Sequence, residues 1–130
     1  MASSFEAVQS VLNIYLDGLY HSDTDKLRRA LHPQARYVCA TGDSLINLSM
    51  DEYFPIVDAR PSPASKNELR QDQIISIDFA GPKTAIARLN CAIGEKYFTD
   101  LLTLIHVEGS WQIIAKVFHF DITSPDNSHQ

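Results

Sequence analysis

The sequence predicts one α+β domain, with helices at its N-terminal end and a run of antiparallel strands after them. An amphipathic helical pattern runs from Ser4 to His21, a capping box opens a later helix, and four strand-like segments between Glu68 and Ile122 are joined by short turns. The 130 residues are the usual length of a single domain, which we expect to span 1–123. The polar segment 124–130 is expected to form a tail.

The first helix is predicted from apolar residues that recur three or four positions apart, with polar residues between them. At about 100° per residue, Val8, Tyr15 and Leu19 fall near the middle of the apolar arc. Tyr15 is therefore expected to point into the domain. The apolar positions of this helix are Phe5, Val8, Val11, Leu12, Ile14, Tyr15, Leu16 and Leu19.

Two shorter helices are predicted from the signals at their ends. The second should span about 23–31, capped by Ser22 or Asp23, and Pro33 should follow its end closely. The third should begin at a Ser-x-x-Glu capping box and span about 49–59. Two helices therefore precede any strand.

The strands are predicted from β-branched and aromatic residues between turn signals. A first strand at 35–40 and a short extended segment at 45–48 lie between the second and third helices. Connections of only a few residues join the later segments, which is too short for a parallel crossover, so we expect an antiparallel meander. The later segments are 68–79, 84–93, 97–107 and 111–122.

The amino-acid composition narrows the classes of molecule that the protein is expected to bind. The net charge is -5 and Lys and Arg do not cluster, so binding to nucleic acid or to an anionic membrane is not expected. Cys39 and Cys91 are far apart and lack neighbours at metal-ligand spacing, so we predict reduced thiols, no metal and no cofactor. The chain shows neither an export signal nor an apolar segment of membrane-spanning length, and a cytoplasmic location is expected.

Four segments carry a family resemblance. They are 14–20 (Ile-Tyr-Leu-Asp-Gly-Leu-Tyr), 31–35 (Leu-His-Pro-Gln-Ala), 97–104 (Tyr-Phe-Thr-Asp-Leu-Leu-Thr-Leu) and 109–113 (Gly-Ser-Trp-Gln-Ile). With the order of elements, they resemble the nuclear transport factor 2-like superfamily, and within it the putative lumazine-binding and SnoaL-like groups. The resemblance covers about residues 5–121. It implies a cone-shaped α+β barrel, in which three N-terminal helices pack in a strongly curved, mostly antiparallel sheet. Members are isomerases, dehydratases, cyclases, hydrolases or non-catalytic binders.

The resemblance also suggests catalytic residues. Tyr15 and Asp100 resemble the tyrosine and the protonated aspartic acid with which ketosteroid isomerases stabilise an oxyanion. The general base of those enzymes would fall near Cys39, which is a neutral thiol in an apolar strand. His32 and Asp43 flank that strand as alternative bases, although a contact at the end of the second helix is the favoured interpretation for His32.

The register of the last hairpin decides a structural alternative for Asp100. If the loop around Gly109 has an odd number of residues, Lys116 falls on the same face of the sheet and can neutralise Asp100, whereas a two-residue turn places Val117 opposite. The sequence leaves both registers open. The residues expected to line a ligand pocket are Leu12, Leu19, Tyr37, Cys39, Tyr53, Phe54, Leu102, Lys116 and Phe118.

Three functions are compatible with these observations. The first is a cofactor-free isomerase or lyase that acts by proton transfer on a small carbonyl or cyclic organic molecule. The second is a module that binds a small organic ligand without chemistry. The third is a dimeric interaction protein whose outer sheet face carries Thr99, Leu101, Thr103 and Ile105. For this face we expect self-association into a homodimer.

Overall fold

The computed structural model describes residues 3–122, so the predicted tail at 124–130 lies outside the described residues. Within this range the predicted order of helices and strands is confirmed. The elements are α1 (Ser4–His21), α2 (Thr24–Ala30), β1 (Leu31–Cys39), β2 (Ile46–Ser49), α3 (Met50–Ala59), a 3-10 helix (Ala64–Lys66), β3 (Asp72–Phe79), β4 (Thr84–Ile93), β5 (Lys96–Val107) and β6 (Ser110–Ile122).

The six strands form one mixed sheet in the order β2-β1-β6-β5-β4-β3. The predicted meander of β3 to β6 is confirmed, and β1 pairs with β6 in parallel. The three helices contribute their apolar sides to a core on one face of the sheet, which we call the inner face. The sheet does not close, because β2 and β3 remain its edges. The fold is therefore the α+β arrangement predicted from the sequence.

Local signals set the helix boundaries. In α1, the Ser3 hydroxyl accepts from the backbone N–H of Glu6, whose side chain accepts from the backbone N–H of Ser3. Ser49 and Glu52 form the same reciprocal cap at the start of α3, as predicted. These caps satisfy backbone donors that the first turn leaves without partners. Both helices are thereby anchored where they meet the sheet.

The prediction for β1 was wrong at its start. This strand begins at Leu31 rather than at residue 35, and α2 ends one residue earlier than expected, at Ala30. Leu31 pairs with Ile113 of β6, and the register then shifts before Arg36. Pro33 lies inside this irregular stretch, where its missing N–H costs no regular ladder hydrogen bond. The proline therefore marks a β irregularity and not a helix end.

The start of β3 also differs from the prediction, which placed it at residue 68. The strand begins at Asp72 because Glu68 is engaged elsewhere. Its carbonyl accepts from the Tyr20 hydroxyl at 2.6 Å, and its carboxylate accepts from the backbone N–H of Gly94 at 2.9 Å. Glu68 thus ties α1 to the β4–β5 turn and stays outside the ladder.

A bulge decides the register of the β5–β6 hairpin. Val107 pairs with Ser110 across the two-residue turn Glu108-Gly109, in which both residues have positive φ (50° and 84°) as a type I′ turn requires. Such a turn alone would place Val117 opposite Asp100. However, Leu104 pairs with Ile113 and Thr103 with Ala115, so Ile114 is an extra residue. The bulge advances the register by one residue and brings Lys116 onto the inner face.

Candidate functional site

A buried hydrogen bond joins the first helix to the sheet. The Tyr15 hydroxyl of α1 donates to Oδ2 of Asp100 of β5 at 2.5 Å, and both side chains are fully buried. Tyr15 reaches the sheet because it lies in the middle of the apolar arc of α1. Asp100 points inward because it alternates with the outward Thr99 and Leu101. The two residues that resemble the oxyanion donors are thus brought together.

Lys116 lies beside this pair inside a cage of aromatic rings. Phe118 is the partner of Asp100 and Leu102 is the partner of Lys116, so Lys116 and Asp100 are diagonal neighbours on the inner face. Its Nζ lies 5.1 to 5.6 Å from four ring centroids, a distance at which a cation is attracted to a ring face. We call Tyr15, Tyr37, Tyr53 and Phe118 the aromatic cage.

The electrostatics of this cluster keep Lys116 protonated and Tyr15 neutral. Burial and then the negative charge of Asp100 raise the pKa of Tyr15 well above its ordinary value, so its hydroxyl remains a donor. Burial alone would lower the pKa of Lys116, but its ionisable neighbours, Tyr53 and then Asp100, outweigh burial and raise it. Among the ion pairs within residues 3–122, none joins Lys116 to Asp100 directly. Lys116 is therefore a fixed cation and a poor nucleophile.

The two cysteines are buried free thiols that border the cluster. Burial and the charge of Asp100 raise the pKa of Cys91 to about 12. Cys39 is buried and is the β1 partner of Phe118. The residue that replaces the isomerase general base is thus a packed side chain next to the aromatic cage.

Among residues 3–122, several polar atoms are buried without a hydrogen-bond partner. They include Oδ1 of Asp100, the hydroxyl of Tyr53, and Nε and Nη2 of Arg60. Buried polar atoms are nearly always paired, so each of these atoms is a candidate for a contact with a ligand or with water. Sequence analysis missed Arg60. The signal that could have found it is its spacing, since Arg60 follows Val57 by three residues and Tyr53 by seven and so continues the face of α3 that carries them.

The other residues predicted to line a pocket divide into two groups. Tyr37, Tyr53, Cys39 and Phe118 lie around Lys116. The remaining ones, Leu12, Leu19, Leu102 and Phe54, are buried in the hydrophobic core. The guanidinium of Arg28 lies 4.6 Å from the ring centroid of Phe54, and the Phe54 ring is 5.8 Å from that of Tyr53.

The histidines serve local contacts. His32 lies at the start of β1, where its Nδ1 accepts from the backbone N–H of Gln34 at 3.0 Å. Among residues 3–122, it makes no hydrogen bond with Tyr15 or Asp100. His119 is exposed and contacts Thr41 and Asp121. The alternative base Asp43 is exposed in the loop before β2.

The larger surface openings lie elsewhere. A groove of about 520 Å³ runs between the start of α1 and the β5–β6 hairpin, lined by residues that include Ser4, Arg29, His106 and Trp111. A smaller cavity of about 180 Å³ lies beside Phe54. Within the described part of the chain, no three His, Cys, Asp or Glu side chains gather to hold a metal ion. No helix between residues 3 and 122 is long and apolar enough to cross a membrane.

Three helices packed against one face of an open six-stranded mixed sheet form the arrangement found in nuclear transport factor 2-like proteins. The family described as "Putative lumazine-binding" matches residues 3–119. Because this match spans nearly the whole chain, the protein belongs to that family.

Solved structures share the fold over nearly its full length. An NTF2-like protein of unknown function from Shewanella baltica OS155 is 27% identical, with a TM-score of 0.81, and the alignment covers 95% of this chain and 100% of that one. A ketosteroid isomerase-like protein from Erwinia carotovora atroseptica is 12% identical with a TM-score of 0.72, and 96% and 100% of the two chains are covered. The second likeness is one of fold alone.

One characterised relative carries the name of an enzyme. The chain is 23% identical over 120 residues to the aldolase FrzH of Cladobotryum sp., with 91% of this chain and 92% of that protein covered. The two proteins therefore align as whole domains.

Proposed function

We propose that the protein is a cofactor-independent enzyme that removes a proton from the carbon next to a carbonyl group of a small organic substrate. The observation that carries this proposal is the unpaired Oδ1 of Asp100, which is fully buried while Oδ2 is held by Tyr15. One oxygen is thus positioned by a hydrogen bond and the other is free to accept a proton. Asp100 itself then takes the role of the base that sequence analysis did not locate.

The neighbours of Asp100 suit this reaction. The C–H proton moves to Oδ1, the electron pair of that bond enters the enolate, and the negative charge develops on the carbonyl oxygen. The ammonium of Lys116 and the unpaired hydroxyl of Tyr53 supply a cation and a donor for that oxygen. Tyr15 is a positioning residue, since its hydroxyl is bonded to Asp100. The enolate then takes the proton back at another carbon, or forms or breaks a carbon–carbon bond.

The comparison with FrzH supports the same chemistry. Its name identifies an aldolase, and aldol reactions pass through an enolate or its equivalent. In this chain Lys116 retains its proton, so we assign it to charge stabilisation and not to a covalent imine.

The direct test measures deuterium exchange at the carbon next to the carbonyl. We expect the parent protein in D₂O to accelerate exchange into phenylpyruvate or phenylacetone, and Asp100→Asn to lower the rate by about 10² to 10⁴ because a general base is removed. NMR detects the exchange. Asp78→Asn, the same change on an exposed strand position, is the control and should keep the parent rate. Parent-like exchange in folded Asp100→Asn, or no acceleration by the parent, contradicts the proposal.

A ligand-binding module without chemistry is the second candidate. It is favoured by the short Tyr15–Asp100 bond, which leaves the tyrosine hydroxyl engaged even without a ligand. Binding of either probe by the parent without any accelerated exchange would identify this class.

Buried free thiols at Cys39 and Cys91 also fit a reducing compartment, and we propose a cytoplasmic location.

We also propose that the outer face of the sheet forms a homodimer. Leu101 and Val117 are cross-strand partners on β5 and β6, and Ile86 of β4 is a diagonal neighbour of Leu101, while Arg88 lies directly opposite Leu101 on β4. Leu101, Val117 and Ile86 are each about half exposed and form an apolar patch that Arg88 borders. Apolar side chains exposed together on a sheet face are stabilised by self-association.

A further inference from the structure

We propose that Arg60 and Lys116 form an anion-binding subsite on the inner face, and that the substrate is a carbonyl compound that carries a carboxylate. That the substrate contains a carbonyl group rests on the proposed function. That it carries a carboxylate rests on Arg60 and can be tested independently of the reaction.

Arg60 has no anionic partner within the described part of the chain. It caps α3, where its backbone N–H donates to the carbonyl of Val57 at 3.3 Å, and its side chain is half-buried. Nε and Nη2 are buried and have no hydrogen-bond partner among residues 3–122. None of the ion pairs in this range includes Arg60. A desolvated guanidinium is costly unless it is paired, so these two donors favour binding of an anion.

The unpaired atoms have the geometry for a carboxylate. Nε and Nη2 lie on the same edge of the guanidinium plane, which is the edge that binds both oxygens of a carboxylate through parallel hydrogen bonds. A neutral carbonyl would use only one of these donors. These two unpaired nitrogens therefore favour a planar anion that binds through two oxygens.

Arg60 faces the same region as the aromatic cage. It shares a helical face with Tyr53, whose ring lies 5.6 Å from Nζ of Lys116. Its positive charge also lowers the pKa of Tyr37 on β1 and of Cys91 on β4, against the larger effect of burial. The charge of the guanidinium therefore acts on residues on both sides of the β5–β6 hairpin.

The charge of the cluster favours a single negative group. Lys116 and Arg60 are cations and Asp100 is the carboxylate beside them, so the region is net positive although the whole chain carries -5. A substrate monoanion would neutralise it. The wall around it is aromatic, with Tyr37 stacked on Tyr53 at 4.3 Å and Phe98 5.7 Å from Phe118, so an apolar substituent would be accepted as well.

Phenylpyruvate and phenylacetone form a matched pair of probes, since a methyl group in the second replaces the carboxylate of the first. We expect the parent to bind phenylpyruvate more tightly than phenylacetone, as measured by calorimetry. Arg60→Met should weaken the binding of phenylpyruvate at least tenfold, because a charge-assisted bidentate contact is lost, and should leave the affinity for phenylacetone unchanged. Arg60→Lys should restore part of the affinity. The melting temperature of Arg60→Met should stay the same or rise, which confirms folding and separates binding from a structural role.

Arg29→Met is the control, because Arg29 is exposed and lines the groove at the start of α1. It should bind both compounds like the parent. Equal affinity of the parent for both compounds, no measurable binding of phenylpyruvate, or loss of its binding in Arg29→Met instead of Arg60→Met overturns the subsite. If Arg60→Met loses the preference while Asp100→Asn still exchanges deuterium, the subsite stands and the proposed reaction is wrong. If Arg60→Met keeps the preference for phenylpyruvate while Asp100→Asn loses deuterium exchange, the subsite is wrong and the proposed reaction stands.

Discussion

On the inner face of β5 and β6 the buried residues include two charged side chains, while on the outer face of the same strands the exposed residues include the apolar Leu101 and Val117. Asp100 is 0% exposed and its neighbour Leu101 is 43% exposed, and Lys116 and Val117 are 5% and 45% exposed. Both arrangements cost free energy in an isolated chain, since buried charges lose water and exposed apolar groups order it. Neither arrangement is explained by the fold of one chain alone. We propose a ligand on the inner face and a second copy of the chain on the outer face.

The largest effect on stability is expected on the inner face. Lys116→Met leaves the carboxylate of Asp100 buried without a nearby cation, and the free energy of unfolding should fall by up to about 3 to 5 kcal/mol, the range for breaking a direct buried pair. Urea unfolding followed by circular dichroism measures it. Lys83→Met removes the same charge from an exposed loop and should change stability little. Equal midpoints for the two variants would mean that the inner-face charges do not stabilise each other.

A smaller effect is expected on the outer face. Leu101→Asp places a charge in the centre of the apolar patch and should weaken a homodimer at least tenfold without unfolding the chain. Light scattering coupled to size-exclusion chromatography gives the mass at each concentration. Gln9→Asp, on the exposed side of α1, should remain dimeric. A parent that runs as a 14.6 kDa monomer at micromolar concentration would disprove the dimer.

The effect that is smallest near neutral pH, and that grows only above about pH 9, is a pH dependence of the inner face. The pKa of Cys91 is raised from its ordinary value of 9.0 to about 12, and those of Tyr15 and Lys116 are also raised. Groups with raised pKa values stabilise the fold below their unfolded pKa and lose this contribution as pH rises through the folded value. The free energy of unfolding should therefore fall from about pH 9 upward, by at most about 1.4 kcal/mol per unit for each group. In Cys91→Ala the decline should start about one unit later. An unchanged onset would contradict the assigned burial of the thiol.

The sequence predicted the parts of the fold that depend on local signals. The apolar arc of α1, the capping box at Ser49 and the turns between β3 and β6 each act over a few residues, and the structure confirms them. The start of β1 was misplaced because Pro33 was taken as a signal of the preceding helix. Its place in the sheet depends on β6, which lies about 80 residues later along the chain.

The candidate site was predicted in part. The helical period predicted that Tyr15 points inward, and strand alternation places Asp100 on the inner face. The structure joins the two side chains by a hydrogen bond. The position of Lys116 depends on a single extra residue in β6, Ile114, which no turn signal marks. Arg60 was overlooked because it follows the last turn of α3, where a charged residue ordinarily points to water. Its role as a ligand contact remains a proposal.

The claim that the buried charges serve function is tested most directly by replacing both together. Asp100→Leu with Lys116→Met removes the carboxylate and the cation from the inner face and leaves apolar side chains in their place. If these charges are kept for chemistry, the double variant should regain or exceed the stability of the parent, because well-packed apolar groups often replace a buried ion pair at no cost, while deuterium exchange disappears. A double variant that is as unstable as Lys116→Met, or that exchanges deuterium at the parent rate, would contradict the account.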